Sequence, residues 1–366
     1  MQERRLGPFY QRLRIKKGQF PLSGTIELTY NCSLNCIHCY CKNSAIPQKY
    51  RKTSNQELTT QDWKKILNEI KKEGCLWVTF TGGDPLIRDD FLELYSFAKE
   101  KGFLVTIFTN AQLFSKEIFD YLIKSPPLSI EVTLNGITKD TYEKISRVGG
   151  SFSKAIKNIK FLAESKIPLI VKTNCLKQNK DELGSIKQWT EQLWGGPSKN
   201  RYHFKYDPMI YPRLNGDIAP TNFRLNFSEL KEARRQDPQI WEEYQRRLKS
   251  DFPDLSRNKD FLYRCNIWKK YFFINPYGKL KFCMFSEKFS VDLKETPFKE
   301  GFYRVFPGIL KEKFKTESKC RLCSLRPLCY NCPARAFLET GDEESPVTYY
   351  CDLAKATLAE RKRLGG

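Results

Sequence analysis

The sequence TIELTYNCSLNCIHC (25–39) is the most informative stretch of this chain. Its first five residues are rich in β-forming side chains. They run directly into three cysteines, spaced as Cys32-x3-Cys36-x2-Cys39. At this cysteine frequency, three cysteines at one prescribed spacing arise by chance about 0.02 times per chain. The spacing therefore indicates that these thiols act together at the end of a strand.

Strand-like and helix-like segments alternate along residues 25–210. Strands are predicted at 25–29, 76–85, 103–110, 129–136, 167–174 and 203–210. Helices are predicted between them at about 63–70, 91–98, 114–123, 153–164 and 180–193. Such alternation is typical of parallel βαβ units with right-handed crossovers. Six units fit one sheet curled into an open barrel, so the predicted fold class is α/β with a partial (β/α)6 barrel.

The loops that follow these strands collect polar and metal-binding residues. In chain order they are Asn31–Cys39, Gly82–Pro85, Thr109–Asn110, Leu134–Asn135 and Thr173–Asn174. Active sites of such folds lie at the carboxyl ends of the strands. The sequence therefore predicts one functional site on this rim of the barrel.

Composition disfavours several classes of protein. The 366 residues include 13 cysteines but only two histidines, His38 and His203, and the formal net charge is +21. The basic N-terminal stretch lacks the apolar core of a signal peptide, and no apolar run approaches the roughly 18 residues that span a bilayer. An odd number of cysteines without an export signal disfavours a secreted disulfide protein. We therefore predict a cytoplasmic protein, not associated with a membrane, whose thiols bind metal.

Five segments are predicted from composition. A basic N-terminal segment covers 1–23, the barrel core 24–225, a charged helical bridge 226–260, a small cysteine-rich domain 261–358, and a solvated tail 359–366. The cysteine-rich domain has few long periodic runs. We therefore expect metal, more than an apolar core, to hold it together.

Three thiolates on one short loop suit a cubane iron–sulfur cluster. They can ligate three irons of a [4Fe–4S] cluster and leave the fourth iron open. Zinc is the alternative that the spacing leaves open, with Cys41 or His38 as a fourth ligand.

This cysteine loop and four later stretches together resemble the radical S-adenosylmethionine (SAM) enzymes. The later stretches are Thr81–Pro85 (TGGDP), FTNAQL (108–113), VTLNG (132–136) and ISRVGGSF (145–152), and the similarity covers about residues 24–210. The resemblance implies that Cys32, Cys36 and Cys39 hold a [4Fe–4S] cluster, whose open iron takes the amino and carboxylate groups of SAM. It also implies reductive cleavage of SAM to a 5′-deoxyadenosyl radical that abstracts hydrogen from the substrate.

The same resemblance implies SAM contacts for individual residues. His38 stands where the family usually has an aromatic residue packed near the adenine. The segment Gly82, Gly83, Asp84 and Pro85 would hydrogen-bond the methionine amino group, with Asp84 where the family more often has Glu. The remaining implied contacts are Asn110, Thr133 and Asn135, of which the last two would reach the ribose, and Arg147 for the methionine carboxylate. Judged by residue type alone, Thr133 and Asn135 suit turns and Arg147 suits a surface position.

The cysteines of the last quarter resemble the SPASM extension found behind many radical SAM cores. The resemblance implies one auxiliary [4Fe–4S] cluster on Cys320, Cys323, Cys329 and Cys351 and another, nearer SAM, on Cys265, Cys283 and Cys332. The chain departs from the usual pattern in the two-residue spacing between Cys329 and Cys332, and in offering only three evident ligands to the inner cluster. Seen alone, residues 320–332 also suit a structural zinc knuckle. The remaining cysteines, Cys41, Cys75 and Cys175, are predicted to be small buried residues.

The resemblance implies an oxidoreductase that matures a peptide by oxidative bond formation. A sulfatase-type maturase or a small-molecule dehydrogenase is the first alternative, for which Asp207 and Asp217 are weak acid/base candidates. A non-catalytic Fe–S or zinc scaffold on nucleic acid is the second, and nucleic acid is disfavoured because no RNA-binding motif accompanies the charge. Expected partners are a flavodoxin- or ferredoxin-like electron donor and, because only 24 residues precede the first strand, a separate leader-peptide-binding protein. The catalytic acid or base is not predicted.

Overall fold

One mixed sheet of nine strands organises the computed structural model, which describes residues 12–13, 16–42, 57–196, 203–250 and 260–364. The strands are β1 Ser23–Thr29, β2 Trp77–Gly82, β3 Leu104–Thr109, β4 Ser129–Thr133, β5 Leu169–Asn174, β6 Phe204–Asp207, β7 Tyr271–Ile274, β8 Lys279–Lys281 and β9 Val291–Asp292. Their order in the sheet is β6-β5-β4-β3-β2-β1-β7-β8-β9. Strands β1 to β6 pair in parallel with their sequence neighbours, which confirms the six predicted βα repeats.

Helices connect the six parallel strands and continue into the C-terminal part. They are α1 Thr60–Lys72, α2 Phe91–Glu100, α3 Lys116–Lys124, α4 Lys139–Ser146, α5 Ser151–Glu164, α6 Leu183–Gln192, α7 Phe227–Arg235, α8 Pro238–Lys249, α9 Pro333–Thr340 and α10 Thr348–Arg363, with short 3-10, π and α turns between some of them. Helix α1 begins with a capping box, in which Thr59 and Asp62 each accept a hydrogen bond from the other's backbone. Its apolar stripe, including Trp63 and Ile66, packs into the main core beneath the sheet.

The C-terminal block is built into the same sheet and core as the barrel. Strand β7 pairs in parallel with β1, with Ser23 opposite Tyr271. Phe272, Phe298 and Phe302 are fully buried and belong to the same apolar core as α1. The expectation that metal more than apolar packing holds this block is therefore corrected for its first half, because its aromatic residues reach the barrel core at spacings with no helical or strand period.

Two further features differ from the sequence prediction. Helix α4 was not predicted, since only Tyr142 and Ile145 mark its apolar face. Helix α10 continues to Arg363, so the predicted tail from residue 359 begins inside a helix, and Glu360 is buried in an ion pair with Lys231 at 2.7 Å. The other segment boundaries stay predictions. Within the described residues, no helix is long and apolar enough to cross a membrane.

A buried ion pair joins the end of the barrel to the C-terminal block. The Arg224 guanidinium donates to both carboxylate oxygens of Glu339, at 2.8 and 2.7 Å, and to the carbonyl oxygen of Ile210 at 2.8 Å. Arg224→Met is expected to cost about 3–5 kcal/mol, because it leaves the Glu339 carboxylate unpaired. The thermal unfolding midpoint should fall by roughly 5–10 °C.

Arg235→Met is the matched control, because the Arg235 side chain is half exposed and pairs only with exposed Glu232. Its expected effect is within about 0.5 kcal/mol. Equal midpoints for the two variants in differential scanning calorimetry would show that the Arg224 pair does not tie the two parts together.

Candidate functional site

The three cysteines after β1 face one cavity at the carboxyl ends of the barrel strands. Its volume is about 620 Å³, and Cys32, Cys36 and Cys39 line it together with Gly82 and Gly83 after β2. Predicted contact residues from β3, β4 and the cysteine loop also line it: Asn110, Thr133, Asn135 and His38. The structure therefore brings most of the predicted site residues to one place.

The cysteine loop is held in place by helix α4. The backbone N–H of Asn35 donates to the carbonyl of Ser146 at 2.9 Å, and that of Ile37 donates to Ile145 at 3.0 Å. The Ile37 side chain is buried in a small cluster with Ile145 and two other apolar residues. The helix that the sequence did not predict thus fixes the loop that carries the thiols.

The glycine turn after β2 lies directly against the start of the cysteine loop. Gly82 has φ +132°, and a Cβ there would lie 2.0 Å from the carbonyl oxygen of Thr29. A Cβ on Gly83 would lie 2.1 Å from the carbonyl oxygen of Asn31. The Gly83 N–H donates to Thr29 at 2.7 Å. Only glycine permits this approach of two backbones.

Asp84 acts from behind the cavity wall. Its fully buried carboxylate accepts hydrogen bonds from the N–H of Leu86 at 3.0 Å, the hydroxyl of Thr109 at 2.8 Å and the N–H of Asn110 at 2.9 Å. Burial raises the pKa of Asp84 to about 6. The Asn110 side chain in turn donates to the Cys32 sulfur at 3.2 Å. Asp84 therefore positions Asn110 against the cysteine loop.

Asn135 joins the cysteine loop to the ends of β4 and β5. Its amide oxygen accepts from the N–H of Asn174 at 2.9 Å and from the Thr173 hydroxyl at 3.2 Å. Its Nδ2 lies 3.4 Å from Nε2 of His38. Burial lowers the pKa of His38 to about 4, so the imidazole is neutral near pH 7. A neutral ring at this place can stack on or hydrogen-bond an uncharged ligand group.

Arg147 is the predicted contact residue that lies apart from the cavity. It caps the C-terminus of α4 in the left-handed conformation, with φ 57°, and its side chain is exposed. Pro85 lies one residue beyond Asp84, in the 3-10 turn behind the wall. The contact of Arg147 with a methionine carboxylate stays a prediction.

The chemistry of the cysteine loop fits a metal cluster. Burial raises the pKa of Cys32 to about 11 and also raises that of Cys36, so free thiolates would be unfavourable there without positive charge. A hydrogen bond with Cys41, at 3.9 Å between the sulfurs, lowers the pKa of Cys39 to about 7. Three buried polar atoms of the described loop make no hydrogen bond: Ser33 Oγ, Asn35 Oδ1 and His38 Nδ1. The donor set is thus soft, incompletely paired and open to the cavity.

A second, larger cavity contains all seven cysteines of the C-terminal block. Its volume is about 1070 Å³. Burial is the main cause of the raised pKa values of Cys265 and Cys283, and negative charge on Cys332 raises both further. The other four thiols influence one another in the same way: Cys320, Cys323, Cys329 and Cys351. The structure therefore places the seven thiols in the two groups that the sequence predicted.

Spacing of side chains bears on the zinc alternatives. Among the described residues, no three Cys, His, Asp or Glu side chains converge closely enough to share one metal ion. A zinc knuckle requires such convergence, whereas a cubane separates its ligands across several irons. The arrangement favours clusters over zinc in both cavities.

The two cavities share a wall of four residues. Asp207, Tyr211, Met284 and Phe285 line both of them. The Tyr211 hydroxyl accepts from Arg335 at 3.2 Å, and its ring lies 4.5 Å from that of Phe285. Asp217, the other acid/base candidate, is bonded to Arg213 and does not line either cavity. Asp207 is therefore the better placed of the two.

Charged side chains inside the barrel were missed by the sequence analysis. Glu131 on β4, Lys172 on β5 and Lys205 on β6 line the first cavity. Their signal was available, because each interrupts an apolar strand segment that was predicted to be buried.

Comparison with known proteins decides the family. Residues 26–189 match the radical SAM superfamily, and the cysteine loop lies within the match. The chain belongs to the radical SAM superfamily. This radical SAM protein is similar over 88% of its length to the AdoMet-dependent heme synthase of Methanosarcina barkeri, at 24% identity and 95% of that protein's length. It is also 24% identical to the PqqA peptide cyclase of Bradyrhizobium diazoefficiens, over 91% of this chain and 86% of that protein.

Solved structures share the fold of this radical SAM enzyme. Streptococcus suis SuiB bound to its precursor peptide SuiA superposes with a TM-score of 0.65 at 20% identity, covering 89% of this chain and 75% of SuiB. Native anSMEcpe with bound AdoMet superposes with a TM-score of 0.64 at 15% identity, covering 94% and 98% of the two chains. The fold is therefore that of a partial barrel with a C-terminal extension of SPASM type. Membership of the family implies SAM and one [4Fe–4S] cluster as cofactors.

The grouping of the seven C-terminal thiols predicts the iron content of variants. Cys332→Ala and Cys351→Ala are each expected to lose about four irons per chain, because each removes one ligand of a different auxiliary cluster. The double variant Cys332→Ala/Cys265→Ala should lose no more than Cys332→Ala alone. The double variant Cys332→Ala/Cys351→Ala should lose about eight.

Iron and sulfide analysis of anaerobically reconstituted protein measures this. Cys175→Ala is the control, since Cys175 is buried next to the end of β5 and should keep the wild-type iron content. Equal losses from both double variants would contradict the two-group arrangement.

Proposed function

We propose that this radical SAM enzyme oxidatively modifies a side chain of a peptide. The observation that carries the proposal is that three thiols, a glycine turn and Asn135 line one cavity that shares a wall with a second cavity of seven thiols. The first arrangement suits generation of a radical. The second suits removal of an electron from the substrate.

The residues proposed to hold the cofactors are those of the two cavities. Cys32, Cys36 and Cys39 would hold the first cluster, and Gly82, Gly83, Thr133, Asn135, His38 and Arg147 would contact SAM. When bound, these cofactors supply a 5′-deoxyadenosyl radical that removes one hydrogen atom from the substrate. Asp84 keeps Asn110 against Cys32, and the buried Ile37 closes the loop against solvent.

The shared wall provides the exit for an electron and a proton. Cys265, Cys283 and Cys332 would hold an auxiliary [4Fe–4S] cluster behind Met284 and Phe285, and the other four cysteines a second one. Loss of one hydrogen atom, one electron and one proton from the substrate forms one new bond and removes two hydrogens in all. Asp207 lies at this wall, and burial raises its pKa, so its carboxylate is placed to accept the proton.

Several relatives support a peptide as the substrate. The mycofactocin maturase MftC of Mycolicibacterium smegmatis is 30% identical over 44% of this chain and 40% of that protein. It, the PqqA peptide cyclase and SuiB bear names or titles that refer to maturation or to peptides. The net charge of +21 suits an acidic leader peptide and a flavodoxin- or ferredoxin-like electron donor. We also propose a separate leader-peptide-binding protein as a partner.

Anaerobic reconstitution tests the proposal. About 12 irons per chain and release of 5′-deoxyadenosine from SAM with dithionite are expected. A precursor peptide encoded beside this gene should then lose two hydrogens in mass spectrometry. Zinc in place of iron, with no SAM cleavage, would return the scaffold alternative.

A small molecule is the second candidate substrate. The similarity to the heme synthase covers nearly the whole of both chains, and that name refers to a tetrapyrrole rather than a peptide. Modification of a tetrapyrrole, with neighbouring peptides left unchanged in the same assay, would favour this candidate.

A further inference from the structure

Three charged side chains meet inside the barrel, below the predicted SAM contacts. The Lys205 ammonium on β6 donates to one carboxylate oxygen of Glu131 on β4 at 2.8 Å. The Lys172 ammonium on β5 lies 3.8 Å from the other oxygen of Glu131, beyond hydrogen-bond distance. It lies 3.1 Å from the ring centroid of Phe108 on β3.

Lys172 is therefore a cation without a full partner. Its side chain is 24% exposed and lines the first cavity, whereas Lys205 already holds the Glu131 carboxylate. Burial lowers the pKa of Lys172 to about 8, because Glu131 offsets the desolvation of its ammonium only in part. An anion in the cavity would supply the missing charge and hydrogen bonds.

The place of Lys172 in the sheet separates it from the cofactor-binding rim. The cysteine loop and the glycine turn follow β1 and β2, while Lys172 and Lys205 belong to β5 and β6 at the other end of the parallel strands. The shared wall with the auxiliary cavity begins two residues after Lys205, at Asp207. A group bound to Lys172 would thus lie between the site of hydrogen abstraction and the site of electron removal.

We propose that Lys172 binds a carboxylate of the substrate, an aspartate or glutamate side chain of the peptide, and that the Glu131–Lys205 pair positions Lys172 for it. This inference rests on the proposed function and names the chemical class of residue that the cavity receives. Lys172 donates to the substrate carboxylate. Lys205 keeps the Glu131 carboxylate occupied, so that Glu131 does not neutralise Lys172.

Binding of a small probe tests the proposal without catalysis. Glutarate is titrated into the reconstituted enzyme with SAM bound, and binding is followed by saturation-transfer NMR. Loss of the charge-assisted hydrogen bond in Lys172→Met should weaken glutarate 10- to 100-fold, about 1.5–3 kcal/mol. Lys172→Arg should keep most of the affinity, and the neutral analogue glutaramide should not bind to the wild-type enzyme.

Two further variants separate this site from general attraction to a basic protein. Lys154→Met removes an exposed lysine of α5 and should leave glutarate binding unchanged. Lys205→Met should weaken glutarate severalfold, since it frees Glu131 to pair with Lys172. Iron content equal to wild type shows that each variant is folded.

Defined outcomes overturn the proposal. Wild-type affinity of Lys172→Met for glutarate means that Lys172 is not the carboxylate site. Displacement of glutarate by SAM, with weaker SAM binding in Lys172→Met, means that Lys172 serves the cofactor instead. Release of 5′-deoxyadenosine is measured on the same samples: its absence from the wild type defeats the proposed function, whereas its presence without glutarate binding defeats only this inference.

Discussion

Replacing Cys36 with alanine is expected to abolish the release of 5′-deoxyadenosine and to lower the iron content from about 12 to about 8 per chain. Cys36 is the central thiol of the loop after β1, and burial raises its pKa. Two remaining thiols cannot hold a cubane that needs three, so no electron reaches SAM. Anaerobic iron analysis and chromatography of the nucleoside measure both effects.

Cys75→Ala is the matched control for this variant. Cys75 is fully buried just before β2, and its thiol donates to the backbone carbonyl of Trp77. It should keep both the iron content and SAM cleavage, at a modest cost in stability. Wild-type cleavage by Cys36→Ala would remove the first cavity from the proposed function.

Replacing Gly83 with alanine is expected to reduce SAM cleavage by roughly 100-fold while the iron content stays near that of the wild type. The new Cβ would lie 2.1 Å from the carbonyl oxygen of Asn31, so the turn must move away from the cysteine loop. A displacement of about 1 Å at a reacting centre costs on the order of 10²-fold in rate. Cleavage rate and iron content, measured on one preparation, separate displaced SAM from a lost cluster.

Gly149→Ala provides the comparison for this glycine. Gly149 follows Arg147 by two residues, and a Cβ there would meet no atom within 4 Å. It should cleave SAM at the wild-type rate. An unchanged rate in Gly83→Ala would show that the close approach to Asn31 has no part in binding SAM.

Much of the fold follows from local pattern. The six parallel strands alternate with helices whose apolar residues recur at helical spacing, and this period is visible in the sequence. The first three cysteines lie on one loop, so their spacing alone predicts that they act together. The strand ends then place Gly82 and Asn135 near them, because parallel strands end at the same edge.

The features that were missed depend on contacts distant in sequence. Strand β7 has four residues, and nothing in them indicates pairing with β1 rather than with a local hairpin. Lys172 faces a cavity that exists only once β4, β5 and β6 are paired. The exposed position of Arg147 follows from the end of α4, a helix whose apolar face is too small to detect.

The pairing of β1 with β7 sets an order for folding during synthesis. Strand β1 carries the cysteine loop, and one of its edges is covered only when residues 271–274 arrive. At roughly 5–20 residues per second, that edge of the nascent chain stays uncovered for on the order of 10–50 s. An uncovered strand edge is a template for pairing with other chains. Chaperone binding to β1 during this interval, and insertion of iron only after β7 has docked, are the expected consequences for the cell that makes this protein.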